Sequence, residues 1–191
     1  MSQSTGTVAA PAAQGSSHVG VAGMWTFLAT DAMGFGGLFI AYGVLRVRAD
    51  VWPDPRVHLG LGLAAVMTFG LLASAFTMTQ AARAAASPAR LGWLAATAAL
   101  GLAFLCGELA EYRRLWAAAD PVRIGSGLYG GTFYALTGYH GLHVLVGVVC
   151  LLAVALRGAR PRTLEVVALY WHFVDLAWMP IFTFLYLMPA R

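Results

Sequence analysis

Leu128-Tyr-Gly-Gly-Thr-Phe-Tyr-Ala-Leu-Thr-Gly-Tyr-His-Gly-Leu-His-Val-Leu-Val-Gly-Val-Val-Cys-Leu-Leu-Ala-Val-Ala-Leu156 runs for 29 residues without an Asp, Glu, Lys or Arg. A bilayer core of about 30 Å is crossed by about 20 helical residues, so this stretch is long enough to span it. Working outward, four more stretches qualify, at about 22–45, 57–80, 91–112 and 164–188. The breaks between them combine charge with Pro or Gly: Arg46 to Arg56 around Trp52-Pro53-Asp54-Pro55, Arg83 to Arg90 around Pro88, Arg113 to Arg123 around Pro121, and Arg157 to Arg162 around Pro161. The pattern predicts an all-α protein: an integral membrane bundle of five transmembrane helices forming a single domain over 21–191. Residues 1–20 are small and polar, with no Arg and no separate apolar core. They read as a disordered tail and not as a signal peptide.

Composition agrees with that reading. Apolar residues make up 60% of the 191 and charged residues 10%, well below the quarter or so of a soluble domain. The net charge of +4 comes entirely from Arg and is spread over the loops, with no run dense enough for nucleic acid. Cys106 and Cys150 stand singly inside apolar stretches, which suits packing and neither a disulfide framework nor a thiolate metal site. Seven Arg lie on one side of the spans and five on the other, too even a split for charge to set the orientation.

The polar residues inside the spans carry the functional question, because an ionisable group there costs about 2.5–3.5 kcal/mol on insertion scales. Asp31 lies near a stripe of small residues, Thr30, Gly34, Gly37 and Ala41, so it is expected to face protein. Two readings stay open for it: a hydrogen-bonded structural carboxylate, or a proton-linked one. Glu108 and Glu111 share a face of the third span; Thr137, His140, His143 and Gly147 share one on the fourth. On the fifth, His172, Asp175, Met179 and Phe182 follow at helical spacing, and Pro180 should bend the helix. A di-iron bundle uses Glu-x-x-His on two helices, and this pattern is different. Glu108, Glu111, Thr137, His140, His143, His172 and Asp175 therefore read as an intramembrane polar network that ties helices together, with no catalytic, cofactor or metal residues. Two other classes remain: a b-type cytochrome using His140, His143 or His172, and a small proton-coupled transporter using Asp31 and Asp175.

The segment Phe133 to Gly147, followed by Tyr170-Trp-His-Phe-Val-Asp-Leu-Ala-Trp178 and Tyr186-Leu187, closely resembles subunit III of haem–copper oxidases. Met24 to Tyr42 resembles that family's helix with a buried carboxylate, Ser74 to Met78 the next helix, and Gly101 through Tyr112 the third. The resemblance covers about 20–188 in the right order. It implies a subunit of a terminal oxidase that reduces oxygen to water and pumps protons in a bacterial cytoplasmic membrane. This chain would carry no cofactor, haem and copper belonging to partner subunits, while phospholipid binds in a cleft. Expected partners are subunit I directly, then subunit II, a cytochrome bc complex and membrane lipids. The N-terminus would be cytoplasmic, and the family's buried Glu maps onto Asp31. Asp here is one methylene shorter, and the first two helices of the seven-helix forms are missing. A quinol oxidase subunit or a homologue associated with nitric oxide reductase is the alternative within the same family.

Overall fold

The computed structural model describes residues 12–54, 59–84, 87–119, 121–125, 127–158 and 161–188, with side chains from residue 20 onward. Five helices make up the described residues: α1 (Ala12–Arg48), α2 (Leu61–Arg83), α3 (Ala89–Ala117), α4 (Leu128–Arg157) and α5 (Pro161–Phe182). No strand occurs among the described residues. Even α5, with 22 residues, reaches about 33 Å at 1.5 Å per residue, enough to cross a bilayer core.

The surface identifies the solvent. Met33, Ile40, Phe69, Leu156 and Leu176 are 67–86% exposed, while Asp31, Glu108, Glu111, His140, His143 and Asp175 are all 9% exposed or less. A water-soluble bundle would invert that arrangement. With an apolar exterior, the fold is held by close packing and interhelical hydrogen bonds, because lipid tails are as apolar as the side chains they replace.

α2 and α3 form the most closely packed pair, an antiparallel hairpin; α5 then packs on α1, α2 and α4, and α4 bridges α3 to α5. Trp171 of α5 wedges where two glycines make room for it. A Cβ at Gly147 would lie 2.8 Å from the Trp171 ring, and one at Gly101 would lie 2.6 Å from it. At Gly158 the α4 C-terminus takes a left-handed turn (φ 65°), the conformation glycine adopts without penalty.

Three details differ from the sequence expectation. First, α1 begins at Ala12, ten residues before the apolar edge, and so covers residues 12–20 of the stretch read as a tail. Extending a helix already nucleated by an apolar segment avoids the nucleation cost, which offsets the weak propensity of Gly15, Ser16, Ser17 and Gly20. Residues 1–11 of that stretch, and Arg56, Asp120, Arg160 and Arg191 of the loop reading, lie outside the described residues. Second, the small-residue stripe is not the main packed face: Thr30, Gly34, Gly37 and Ala41 are exposed, although a Cβ at Gly34 would lie 3.0 Å from the Tyr139 hydroxyl, and the buried line of α1 is Leu28, Asp31, Phe35 and Tyr42. Large rings and the carboxylate have partners on α4 and α5, and these contacts outweigh close backbone approach. Third, the effect of Pro180 is drawn out toward the C-terminus: α5 runs through it and then widens into a π-helical turn, Thr183–Leu187. Pro180 has no N–H for the carbonyl four residues back, and a π turn is a common local adjustment to such a disrupted ladder.

Candidate functional site

Most of the buried polar groups fall into three separate nodes, each joining different helices, and Thr77 and Thr97 pair apart from them at 2.8 Å between α2 and α3. The first lies between α1, α4 and α5. Tyr139 donates its hydroxyl to Asp31 Oδ1 at 2.8 Å, and His143 Nε2 sits 3.2 Å from the same oxygen. His143 Nδ1 faces the Tyr139 carbonyl at 2.7 Å, and Tyr170 donates to the His143 carbonyl at 3.1 Å. Phe35 closes the node, with its ring 4.8 Å from Tyr139 and 5.4 Å from His143.

The proton inventory of this node follows from its acceptors. A carbonyl only accepts, so Nδ1 carries a hydrogen. The Nε2–Oδ1 contact then requires one further proton, on the ring or on the carboxyl. Such a contact, bridged by one proton, is the kind of pairing that offsets the cost of burying a carboxyl and an imidazole in a membrane interior.

The second node joins α3, α4, the C-terminal π turn and the loop before α2. Tyr112 Oη lies 2.8 Å from Glu108 Oε1 and 2.7 Å from Thr137 Oγ1, and Thr137 in turn reaches the Phe133 carbonyl at 2.8 Å. One turn on, Glu111 Oε2 accepts from the Tyr186 hydroxyl at 2.5 Å and Oε1 from the Gly60 N–H at 3.0 Å. Arg114 approaches Glu111 Oε1 at 3.8 Å. Glu111 thus fastens three chain segments.

The third node is the α2–α5 seam. Trp171 Nε1 donates to Ser74 Oγ at 3.0 Å and Trp178 Nε1 to Thr68 Oγ1 at 2.8 Å. Asp175 meets Ser74 only at 3.5 Å, and its Oδ1 is buried with no hydrogen-bond partner among the described residues. Nearby, His140 Nε2 donates to the Val174 carbonyl at 3.2 Å, and the ring lies between Phe104 and Trp178, with centroids 5.3 and 5.0 Å away.

His172 stands apart from all three nodes. It is half-buried and lines an apolar groove of about 410 Å³ between α1 and α5, with Trp25, Leu28, Ala29 and Phe173. The side chains that satisfy the buried carboxylates, Tyr139, Tyr112, Tyr186 and Ser74, were not singled out by sequence reasoning. Their signal was position: Tyr112 sits four residues after Glu108, and Tyr139 sits four before His143.

Ligand chemistry is constrained by the same bonds. Both ring nitrogens of His143 face protein oxygens, and the remaining nitrogen of His140 is enclosed by aromatic rings. Among the described residues no three His, Cys, Asp or Glu side chains gather as metal donors. These histidines are used as hydrogen-bonding groups between helices.

Comparison with known proteins decides the family. Residues 17–189 match the family described as cytochrome c oxidase subunit III. The chain belongs to that family. Cytochrome c oxidase subunit 3 of Thermostichus vulcanus is 33% identical over 179 residues, spanning 88% of this chain and 87% of that protein. The probable cytochrome c oxidase subunit 3 of Mycobacterium tuberculosis (strain ATCC 25618 / H37Rv) is 36% identical over 175 residues, 86% of this chain and 85% of that one. The Synechocystis protein of the same name is 35% identical over 178 residues, 87% of this chain and 74% of its relative. As a subunit III, the chain is a multi-pass membrane protein and one component of a haem–copper oxidase, an oxidoreductase complex. Membership of this family displaces the free-standing b-type cytochrome and transporter readings.

Proposed function

We propose that this subunit III packs directly on the catalytic subunit I, carries no redox centre of its own, and sustains proton uptake through the Asp31–Tyr139–His143 node. The observation that carries this reading is the 3.2 Å contact between Asp31 Oδ1 and His143 Nε2, which one shared proton would bridge, in a site closed by Phe35. A carboxyl and an imidazole that share one proton can pass it either way with little displacement of heavy atoms, and intramembrane pairs of this kind mark proton paths. Tyr139 and His143 both reach the shorter Asp through Oδ1, while its Oδ2 is buried with no hydrogen-bond partner among the described residues.

Subunit II, a cytochrome bc complex and membrane lipids complete the proposed surroundings, with electrons arriving from cytochrome c. The bacterial relatives fit a cytoplasmic membrane location, and the proposed orientation, with the N-terminus on the cytoplasmic side, rests on the family resemblance alone. For lipid, the groove of about 450 Å³ lined by Phe39, Ile40, Tyr42, Gly43, Arg46 and Phe184 combines an apolar trough with a cation at its rim. That is the form an acyl chain with a phosphate headgroup fits.

The test is Asp31→Ala in the assembled oxidase. Oxygen reduction should begin near the normal rate, then decline over fewer turnovers or with lower proton uptake. Unchanged inactivation and pumping would leave Asp31 as a structural tie alone. Mild-detergent purification with mass spectrometry tests the partners, and a quinol oxidase lacking a copper-centre subunit II would displace the proposed donor.

A further inference from the structure

The second node carries an inference independent of the Asp31 reading. Glu108 Oε1, Tyr112 Oη, Thr137 Oγ1 and the Phe133 carbonyl form three successive oxygen–oxygen links of 2.8, 2.7 and 2.8 Å. Each link needs one hydrogen. Tyr112 and Thr137 supply one each, and a carbonyl supplies none. With Glu108 ionised, three links share two hydrogens, and two oxygens face each other at hydrogen-bond distance with nothing between them.

We infer that Glu108 is a neutral carboxylic acid, a proton-holding site distinct from Asp31–His143. Its hydrogen completes the chain: the Glu108 O–H donates to Tyr112, the Tyr112 O–H to Thr137, and the Thr137 O–H to the Phe133 carbonyl.

The surroundings agree with this assignment. Glu108 is 7% exposed, and the α4 backbone lies against its carboxyl at Gly141, where a Cβ would collide with Oε2. The titratable groups around it are Tyr112 and Glu111 on α3, Tyr134 on α4 and Tyr186 beyond α5, with His140 one residue before Gly141. Arg114 lies 3.8 Å from Glu111 Oε1. Glu111 differs in its partners, because it accepts from the Gly60 N–H and the Tyr186 O–H and needs no proton of its own. A second negative charge one turn away in a low-dielectric interior would be repelled by the first. Neighbouring carboxyls thus take opposite states, one ionised and fastening segments, the other neutral and donating.

The chain has a direction, and the proton sets it. If Glu108 loses its proton, Tyr112 turns to donate to Glu108, Thr137 turns to donate to Tyr112, and the link to the Phe133 carbonyl empties. One proton leaves, two hydroxyls rotate, and no other bond changes.

The test is infrared absorption of the full-length chain in detergent at pH 7, in H₂O and D₂O. The difference between wild type and Glu108→Gln should contain one carboxylic acid carbonyl band that shifts down in D₂O; the difference with Glu111→Gln should contain none. Tyr112→Phe keeps Glu108 and removes its acceptor, so the band should persist at higher frequency. Unfolding provides a second readout. Gln mimics a neutral Glu, so Glu108→Gln should change the unfolding equilibrium constant by less than about threefold, whereas Glu111→Gln should change it by about tenfold or more, as loss of a charged acceptor does. Absence of the carbonyl band in wild type, its survival in Glu108→Gln, or a greater loss of stability in Glu108→Gln than in Glu111→Gln would each overturn the assignment.

Discussion

Replacing Tyr139 by Phe should change sign in its effect depending on residue 31. In the wild-type chain Tyr139 donates to Asp31 Oδ1 at 2.8 Å, and His143 Nε2 reaches the same oxygen. Tyr139→Phe removes one of two contacts, and an interhelical hydrogen bond in a membrane contributes about 0.6 kcal/mol on average, with about 1.7 as an upper value. The loss should therefore be about 1 kcal/mol. In Asp31→Ala the Tyr139 hydroxyl loses its carboxyl acceptor, and no lipid tail supplies one. A buried unsatisfied donor costs about 1–3 kcal/mol, and His143 Nε2 is stranded beside it, so Asp31→Ala alone should cost about 2–4 kcal/mol. On that background Tyr139→Phe removes an orphan and should be neutral or stabilising by up to about 1 kcal/mol. The coupling is then about 1–2 kcal/mol, within the range for residues in one network. The assay is a double-mutant cycle by detergent-titrated unfolding of the purified chain, with helix content as the readout. Additivity within about 0.5 kcal/mol would mean that Asp31 and Tyr139 do not depend on each other, and the site geometry would be refuted.

Other outcomes follow from the packing. Gly101→Ala and Gly147→Ala should each cost about 1–3 kcal/mol in the same unfolding assay, because the added methyl meets the rigid Trp171 ring at 2.6 or 2.8 Å. Their double variant should cost less than the sum, since one displacement of Trp171 relieves both. Gly36→Ala, with nothing within 4 Å of the new methyl, should be neutral or stabilising by up to about 1 kcal/mol. Trp178→Phe should lose about 1 kcal/mol or more with the bond to Thr68 at 2.8 Å, measured by unfolding midpoint. His172→Leu should leave the unfolding of the isolated chain within about 0.5 kcal/mol and lower the yield of assembled oxidase; normal yield with lost oxidase activity would contradict that.

Five spans were legible because hydrophobic length is a local property: the bilayer needs about 20 residues, and 128–156 supplies them without an acid or an Arg. The tendency of Asp31 to face protein was also legible, since its cost in lipid allows little else. Which side of α1 packs was not. Thr30, Gly34, Gly37 and Ala41 form a face that suits close approach, yet Phe35 and Tyr42 have partners only the tertiary structure supplies. The polar network was read as one body because 140, 143, 172 and 175 lie on two neighbouring helices. Helical rotation directs them differently: His143 toward α1, His140 and Asp175 toward the interior, and His172 out to a groove. The tyrosines escaped notice because Tyr is common near membrane ends, and its hydroxyl partner is set by distances between helices.

α1 touches the rest of the molecule mainly along α4 and α5, and it is pinned at two heights. Asp31 is one pin; the other is Tyr42, whose hydroxyl donates to the Phe184 carbonyl at 2.7 Å and receives Arg46 at 2.7 Å. Eleven residues separate them, about 16 Å along the axis and within about 20° of the same bearing. A shaft held by one pin can swivel; held by two in line, it can neither turn nor slide. Releasing Asp31 would turn α1 into a lever hinged at Tyr42, so events at a single carboxyl could swing the edge of the subunit that other chains or lipids meet.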